Sequence, residues 1–127
     1  NNFRNLTRNN SYELIKVPVG VAYGVNVEQV RKILRDAVLR LQYTDKYGRN
    51  VMDMHNGHDV LVLFSDFGDS SVNLNVAIWV LVVEKVKFIA HVKEVIYQTL
   101  QEHNIEIPFP QQDVYIKELP NNGTEKK

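Results

Sequence analysis

The chain has 127 residues, 44% of them apolar and 24% charged, with 15 basic against 15 acidic side chains and no cysteine. A chain of this size buries enough surface for one ordinary core, so a single domain needs no covalent staple. Without cysteine there are no disulfides, thiolate metal ligands or thiol nucleophiles, and zero net charge argues against holding nucleic acid or anionic lipid by bulk electrostatics.

Asn1–Asn10 is polar and unpatterned and lacks the apolar stretch of a signal peptide. It reads as a disordered lead-in, and the glycosylation-type triplets at Asn5, Asn9 and Asn122 read as chance. From Ser11 the pattern alternates, with Ile15, Val17, Val19 and Val21 on one face. Pro18 cannot donate a ladder hydrogen bond, so that strand is expected to have a free edge or a bulge there. Gly24 closes the strand, and Asn26 with Gln29 forms a helix start. Val27, Val30, Ile33, Leu34, Ala37, Val38 and Leu41 recur at helical spacing and predict a helix over Val27 to Leu41. Val30, Ile33, Leu34 and Val38 are expected against the sheet.

Tyr43 to His58 reads as a loop, with an extended stretch at Asn50 to Met54. A second strand is expected over Asp59 to Phe67, with Val60, Val62 and Phe64 on one face. After a turn at Gly68-Asp69-Ser70-Ser71 comes the clearest strand, Val72 to Leu81, which closes a hairpin and carries Trp79 on a central strand. The apolar run there, Val72–Val83, is 12 residues, short of the roughly 20 a membrane span needs. Val86, Ile89, Val92, Ile96 and Leu100 predict a second helix ending near His103-Asn104, with Asn104 in the left-handed position. Pro108 and Pro110 pin an extended segment, Asp113 to Lys117 reads as a last strand, and Pro120–Lys127 reads as a disordered tail.

The order β-α-β-β-α-β with both helices on one face predicts an α+β, ferredoxin-like sandwich with an antiparallel sheet, spanning residues 11–119. That fold hosts many functions and names none.

Each candidate for chemistry has a plainer reading. Phe67-Gly68-Asp69-Ser70 resembles the nucleophile block of Gly-Asp-Ser esterases, but no Asp-x-x-His is present to activate Ser70. A hairpin turn whose Asp and Ser side chains bond the local backbone explains the same residues. His55 and His58, flanked by Asp53 and Asp59, are separated by Asn-Gly and read as exposed loop histidines rather than metal ligands. His91 and His103 have no candidate partner. The third strand offers one aromatic, Trp79, and no basic residue, against the stacking platform of an RNA-binding domain. Gly20 to Asn26 contains no arginine, as a phosphate loop of acylphosphatase type would need. No catalytic residues, no metal, no cofactor and no nucleic-acid partner are expected.

Three stretches stand in a specific order: Pro18-Val19-Gly20-Val21-Ala22-Tyr23-Gly24 before a helix, Phe67-Gly68-Asp69-Ser70-Ser71 between two strands, and Ile105-Glu106-Ile107-Pro108-Phe109-Pro110-Gln111 after a helix. Together they resemble the C-terminal cytoplasmic α/β domain of the small-conductance mechanosensitive channel family, over roughly Ser11 to Leu119. The resemblance implies a larger membrane protein with transmembrane helices, a pore helix and a middle β-domain, whose end would be Asn1–Asn10. It implies a bacterial inner or plasma membrane channel that opens under tension and releases ions and small solutes during hypo-osmotic shock. It also implies seven subunits around a hollow cytoplasmic vestibule with side openings. Pro18, Gly20, Tyr23, Gly24, Phe67, Gly68, Asp69, Ser70, Ser71, Pro108, Phe109 and Pro110 are then residues of structure and assembly. Asn104 stands where that family has glycine, and Gln112 where a basic residue is common. The isolated chain is expected to be a monomer or small oligomer. A second reading, from another class, is a self-associating ferredoxin-like regulatory domain that binds a small ligand.

Overall fold

The computed structural model describes residues 11–55 and 57–108. Within them lie strand β1 (Tyr12–Val21), helix α1 (Val27–Leu39), strands β2 (Leu61–Phe67) and β3 (Val72–Leu81), and helix α2 (Lys85–Glu102), which a single 3₁₀ turn at Val82–Glu84 introduces. The strands form one antiparallel sheet in the order β1-β3-β2, so β3 is central and Trp79 lies on it. This is the α+β arrangement of a ferredoxin-like fold. The expected last strand at Asp113 to Lys117, the lead-in Asn1–Asn10 and the tail from Pro120 lie outside the described residues.

Alternation decides which face of the sheet is dry. Ile15, Val17, Val19 and Val21 of β1 pair across with Ile78, Val76, Leu74 and Val72 of β3, and all eight are buried. Helix α1 lays Val30, Leu34, Ala37 and Val38 on this layer, and α2 adds Phe88, Val92, Ile96 and Leu100. Apolar burial of this extent, at roughly 25 cal/mol per Å², is the main term holding the two layers together. Ile33, expected in the same stripe, is only half-buried, because the stripe follows Val30, Leu34 and Val38 and leaves position 33 at its margin.

The ends of the elements follow local chemistry. The Asn26 side chain accepts from the Gln29 amide at 3.1 Å and starts α1 where expected. The helix ends at Leu39 rather than Leu41, because the Arg40 and Leu41 amides turn back onto Asp36 and Val38 carbonyls, and Leu41 then packs on the core from the loop. Asn104 has φ 57°, the left-handed stop its residue type allows.

β2 begins at Leu61 rather than Asp59. The Asp59 carboxylate accepts from the Val60 amide at 2.8 Å, and Arg35 donates to the Val60 carbonyl at 3.1 Å, so those groups bond to side chains instead of a strand. One helical turn earlier, Arg31 donates to the Val62 carbonyl at 2.9 Å. The two arginines thus cover part of the outer edge of β2, which would otherwise offer bare carbonyls to another strand. The register shifts between Phe64 and Asp66, and Phe64, expected to share a face with Val60 and Val62, is exposed as Phe67 is, while those two valines are buried.

Candidate functional site

The three stretches singled out in the sequence meet at one end of the sheet. The register is the cause. Val21, the last residue of β1, lies opposite Val72, the first of β3, and Val72 lies opposite Phe67, the last of β2. The β1-to-α1 turn and the β2-to-β3 turn are therefore neighbours. The Tyr23 hydroxyl donates to the Gly68 carbonyl and ties them together. The third stretch joins through the Ala22 amide, which donates to the Glu106 carbonyl at 3.0 Å.

Two glycines at this corner are required by space or by backbone shape. Gly24 has φ +97°, which L side chains rarely adopt. A Cβ at Gly68 would stand 2.8 Å from Ser71 Oγ and 3.2 Å from the Ser71 carbonyl. The turn itself is closed by the Gly68 amide, which donates to the Ser71 carbonyl at 2.7 Å. From there a chain of side-chain bonds runs along the surface: Ser71 Oγ donates to Asn73 Oδ1 at 2.7 Å, and Asn73 Nδ2 donates to Asp66 at 2.9 Å. The hairpin turn is as expected, but its Ser71 bond goes to the Asn73 side chain. Ser70 lies in this same turn, and Asp69 beside it is exposed.

Pro18 is on the outer edge of β1, with no strand paired there among the described residues, as its missing N–H requires. With Gly20 and Ile107 it faces Lys93, Ile96 and Tyr97 of α2 across an apolar groove of about 210 Å³. Pro108 is half-buried at the end of the described chain, and Phe109 and Pro110 lie outside the described residues.

The loop histidines are not both free, which corrects the expectation. His58 is clamped: its Nδ1 is 2.6 Å from Asp53 Oδ2, and its ring stacks on Trp79 with centroids 4.0 Å apart. The Asp53 backbone amide donates to the Trp79 carbonyl and Met52 bridges Val80, so the extended stretch at Asn50 to Met54 continues the sheet beyond β2. Burial alone would raise the Asp53 carboxyl. Hydrogen bonds from His58 and the His55 amide, together with the charges of both rings, outweigh it and hold Asp53 below its usual range. In the same loop Asp45 is buried, which by itself raises its carboxyl. Bonds from the Arg49 amide and guanidinium and from the Tyr47 amide more than reverse that. Burial and then the Asp53 charge push the Tyr12 hydroxyl up, against the opposing charge of Arg49. That hydroxyl donates to the Asn50 carbonyl at 2.8 Å. The cluster secures a loop. The five-residue spacing of Asp53 and His58 was visible in the sequence, but their stacking partner was not.

Among the described residues, no three His, Asp or Glu side chains gather as a metal site, and no helix is long and apolar enough to cross a membrane.

Residues 15–107 match the family model described as the C-terminal part of the mechanosensitive ion channel MscS. A small-conductance mechanosensitive channel of Helicobacter pylori (strain UM084) is 27% identical over 112 residues, covering 87% of this chain and 37% of that protein. The crystal structure of Helicobacter pylori MscS in its closed state superposes with a TM-score of 0.61 at 28% identity, over 87% of this chain and 40% of that one. The chain thus spans well under half the length of the relatives it matches. The matched interval begins inside β1 and ends at Ile107, enclosing the whole described corner, and on this ground the chain belongs to the family of MscS mechanosensitive channel C-terminal domains.

Proposed function

We propose that this chain is the cytoplasmic vestibule domain of a tension-gated channel that releases ions and small solutes on hypo-osmotic shock. Its work is subunit assembly and solute access, without catalysis. The observation that carries this reading is the family match over residues 15–107, in a family of channels and not of enzymes. The corner fits that role. Tyr23, next to Gly24, ties its turn to the turn of Phe67, Gly68, Asp69, Ser70 and Ser71, and Gly20 lies close against Ser71. A rigid corner with an apolar groove suits a piece that must lie against its neighbours. The parent is a bacterial inner-membrane homo-oligomer, expected to be a heptamer, with this domain on the cytoplasmic side and membrane contact only through upstream segments. Neither nucleic acid nor cofactor is part of the reading.

The test is the reading frame upstream of Asn1, followed by expression of the full-length product in a bacterium lacking its own mechanosensitive channels. Apolar spans upstream and rescue of survival after osmotic downshock are the expected results. An initiator methionine just upstream with no spans overturns the proposal and returns the chain to the small regulatory domain.

A further inference from the structure

Between the end of α1 and the extended stretch at Asn50 to Met54 lies a larger cleft, of about 420 Å³. That is within the range of roughly 300–1,000 Å³ in which small-molecule sites fall. The sheet fixes its place. β1 occupies one side of Trp79 and Leu81, so Asp53 and Val51, which bond to the backbone of those two residues at 2.9 and 2.8 Å, run along the other. The cleft is therefore on the β2 side of β3, whereas Ile107, near the end of the described chain, lies against β1.

Its walls are held in place by the fold. Thr44 bridges Asn50, and the Val51 amide donates to the Tyr43 carbonyl at 3.0 Å, so the two sides of the loop pair as a short hairpin. The buried Asp45 carboxylate closes the turn between them by accepting from the Tyr47 and Arg49 amides. The Tyr12 hydroxyl holds the Asn50 carbonyl from β1. The Tyr43 ring meets Phe88 edge-on and stacks on His91, with centroids 5.4 and 5.0 Å apart. A wall ordered in advance lowers the entropy that binding must overcome.

The lining is of two kinds. Leu39, Leu41, Met52 and Met54 form its apolar part, and thioethers are polarizable partners for an aromatic ring. Gln42, Tyr43, Thr44, Asn50 and His55 form its polar part. The Gln42 and Asn50 amides and the Tyr43 hydroxyl make no side-chain hydrogen bond among the described residues. A side-chain amide sets a donor beside an acceptor, the pattern that pairs with the edge of a purine. No lysine, arginine, aspartate or glutamate lines the cleft, and the charges beside it in the chain are engaged, Asp45 with Arg49 and Asp53 with His58. A phosphate or carboxylate would find no counter-charge there.

We infer that this cleft binds a small neutral molecule of the nucleobase or nucleoside class, its ring against Met52 and Met54 and its hydrogen-bonding edge on the Asn50 amide. The site adds a ligand to the domain proposed above and does not depend on assembly.

Adenosine is the probe, with ribose and adenosine monophosphate beside it, read in amide nitrogen–proton correlation spectra of the isotopically labelled full chain. Adenosine should shift the amides of residues 39–55 saturably. Ribose, which lacks the ring, should leave them in place, and the monophosphate should bind no tighter than adenosine. Asn50→Ala removes the side-chain amide and keeps the backbone groups that bond to Tyr12 and bridge Thr44. It should weaken adenosine binding about fivefold, the loss of roughly one hydrogen bond, with the rest of its spectrum unchanged as the check on folding. Shifts that do not saturate, or that scatter over the surface, overturn the inference. So does ribose acting as adenosine does, a monophosphate that binds tighter, or an Asn50→Ala chain that binds adenosine as well as the parent.

Discussion

Replacing Gly68 by alanine should destabilise the domain by about 1–3 kcal/mol, a range set by overpacking at a tight site. The new Cβ would stand 2.8 Å from Ser71 Oγ, 3.1 Å from Asn73 Nδ2 and 3.2 Å from the Ser71 carbonyl. A hydroxyl can usually swing aside, but this one donates to Asn73 Oδ1 at 2.7 Å, and Asn73 in turn donates to Asp66 at 2.9 Å. Relief of the clash therefore breaks at least one bond of that chain, at about 0.5–1.5 kcal/mol each. The carbonyl contact persists, since moving it would open the turn that Gly68 N and Ser71 O close at 2.7 Å. The cost is read from urea unfolding midpoints at constant m-value. A double-mutant cycle isolates the cause. Ser71→Ala deletes the clashing oxygen and has already lost its hydrogen bond, so Gly68→Ala should cost about 1 kcal/mol less in that background. Costs that simply add, or a Gly68→Ala variant as stable as the parent, would refute the steric account of this turn.

Ile78→Ala, at a fully buried site on the central strand, should cost about 2–5 kcal/mol, whereas Ile33→Ala at the margin of α1 should cost about 1. Equal melting shifts for the two would show the helix face to be misassigned. Tyr23→Phe removes one exposed side-chain bond to Gly68 and should cost about 0.5–1.5 kcal/mol, with the larger consequence a faster amide exchange in the 67–71 turn. Asp53 is held below its usual range in the fold, so the native state binds fewer protons than the unfolded chain at acid pH. Its contribution is complete above the unfolded value of about 3.9 and is lost as pH falls through the lower folded one. Asp53→Asn should therefore flatten the fall in melting temperature below about pH 4, and an unchanged slope would show the His58 contact to be inert.

The strand–helix order was legible because each element advertises itself locally. Period-two alternation marks β1 and β3, and three-four spacing marks both helices. Asn26 and Asn104 mark a start and a stop through side-chain and backbone preferences that need no distant partner. The end of α1 moved through local bonds at Arg40 and Leu41, but the start of β2 moved because a distant group sets it. Arg35 takes the Val60 carbonyl from across the fold, and no local pattern at Asp59 signals it. Ile33 is on the correct side of its helix by spacing, but how far burial reaches around that side depends on where the sheet lies beneath.

The site divides in the same way. Gly24, Gly68 and Pro18 could be recognised as backbone specialists from residue type alone, because a missing Cβ or a missing N–H acts wherever the residue is placed. That the two stretches carrying them form one corner was not legible. It follows from the pairing of Val21 with Val72 and of Val72 with Phe67, and antiparallel register is set by the packing of a whole face at once. The clamp of His58 between Asp53 and Trp79 likewise needs a loop to fold back over a strand some twenty residues away. Sequence by itself determined the elements, their order and the family resemblance, since these rest on short-range periodicity and ordered motifs. Only the tertiary structure decided which motifs touch and which side chains are buried, because those depend on contacts between residues that the chain keeps far apart.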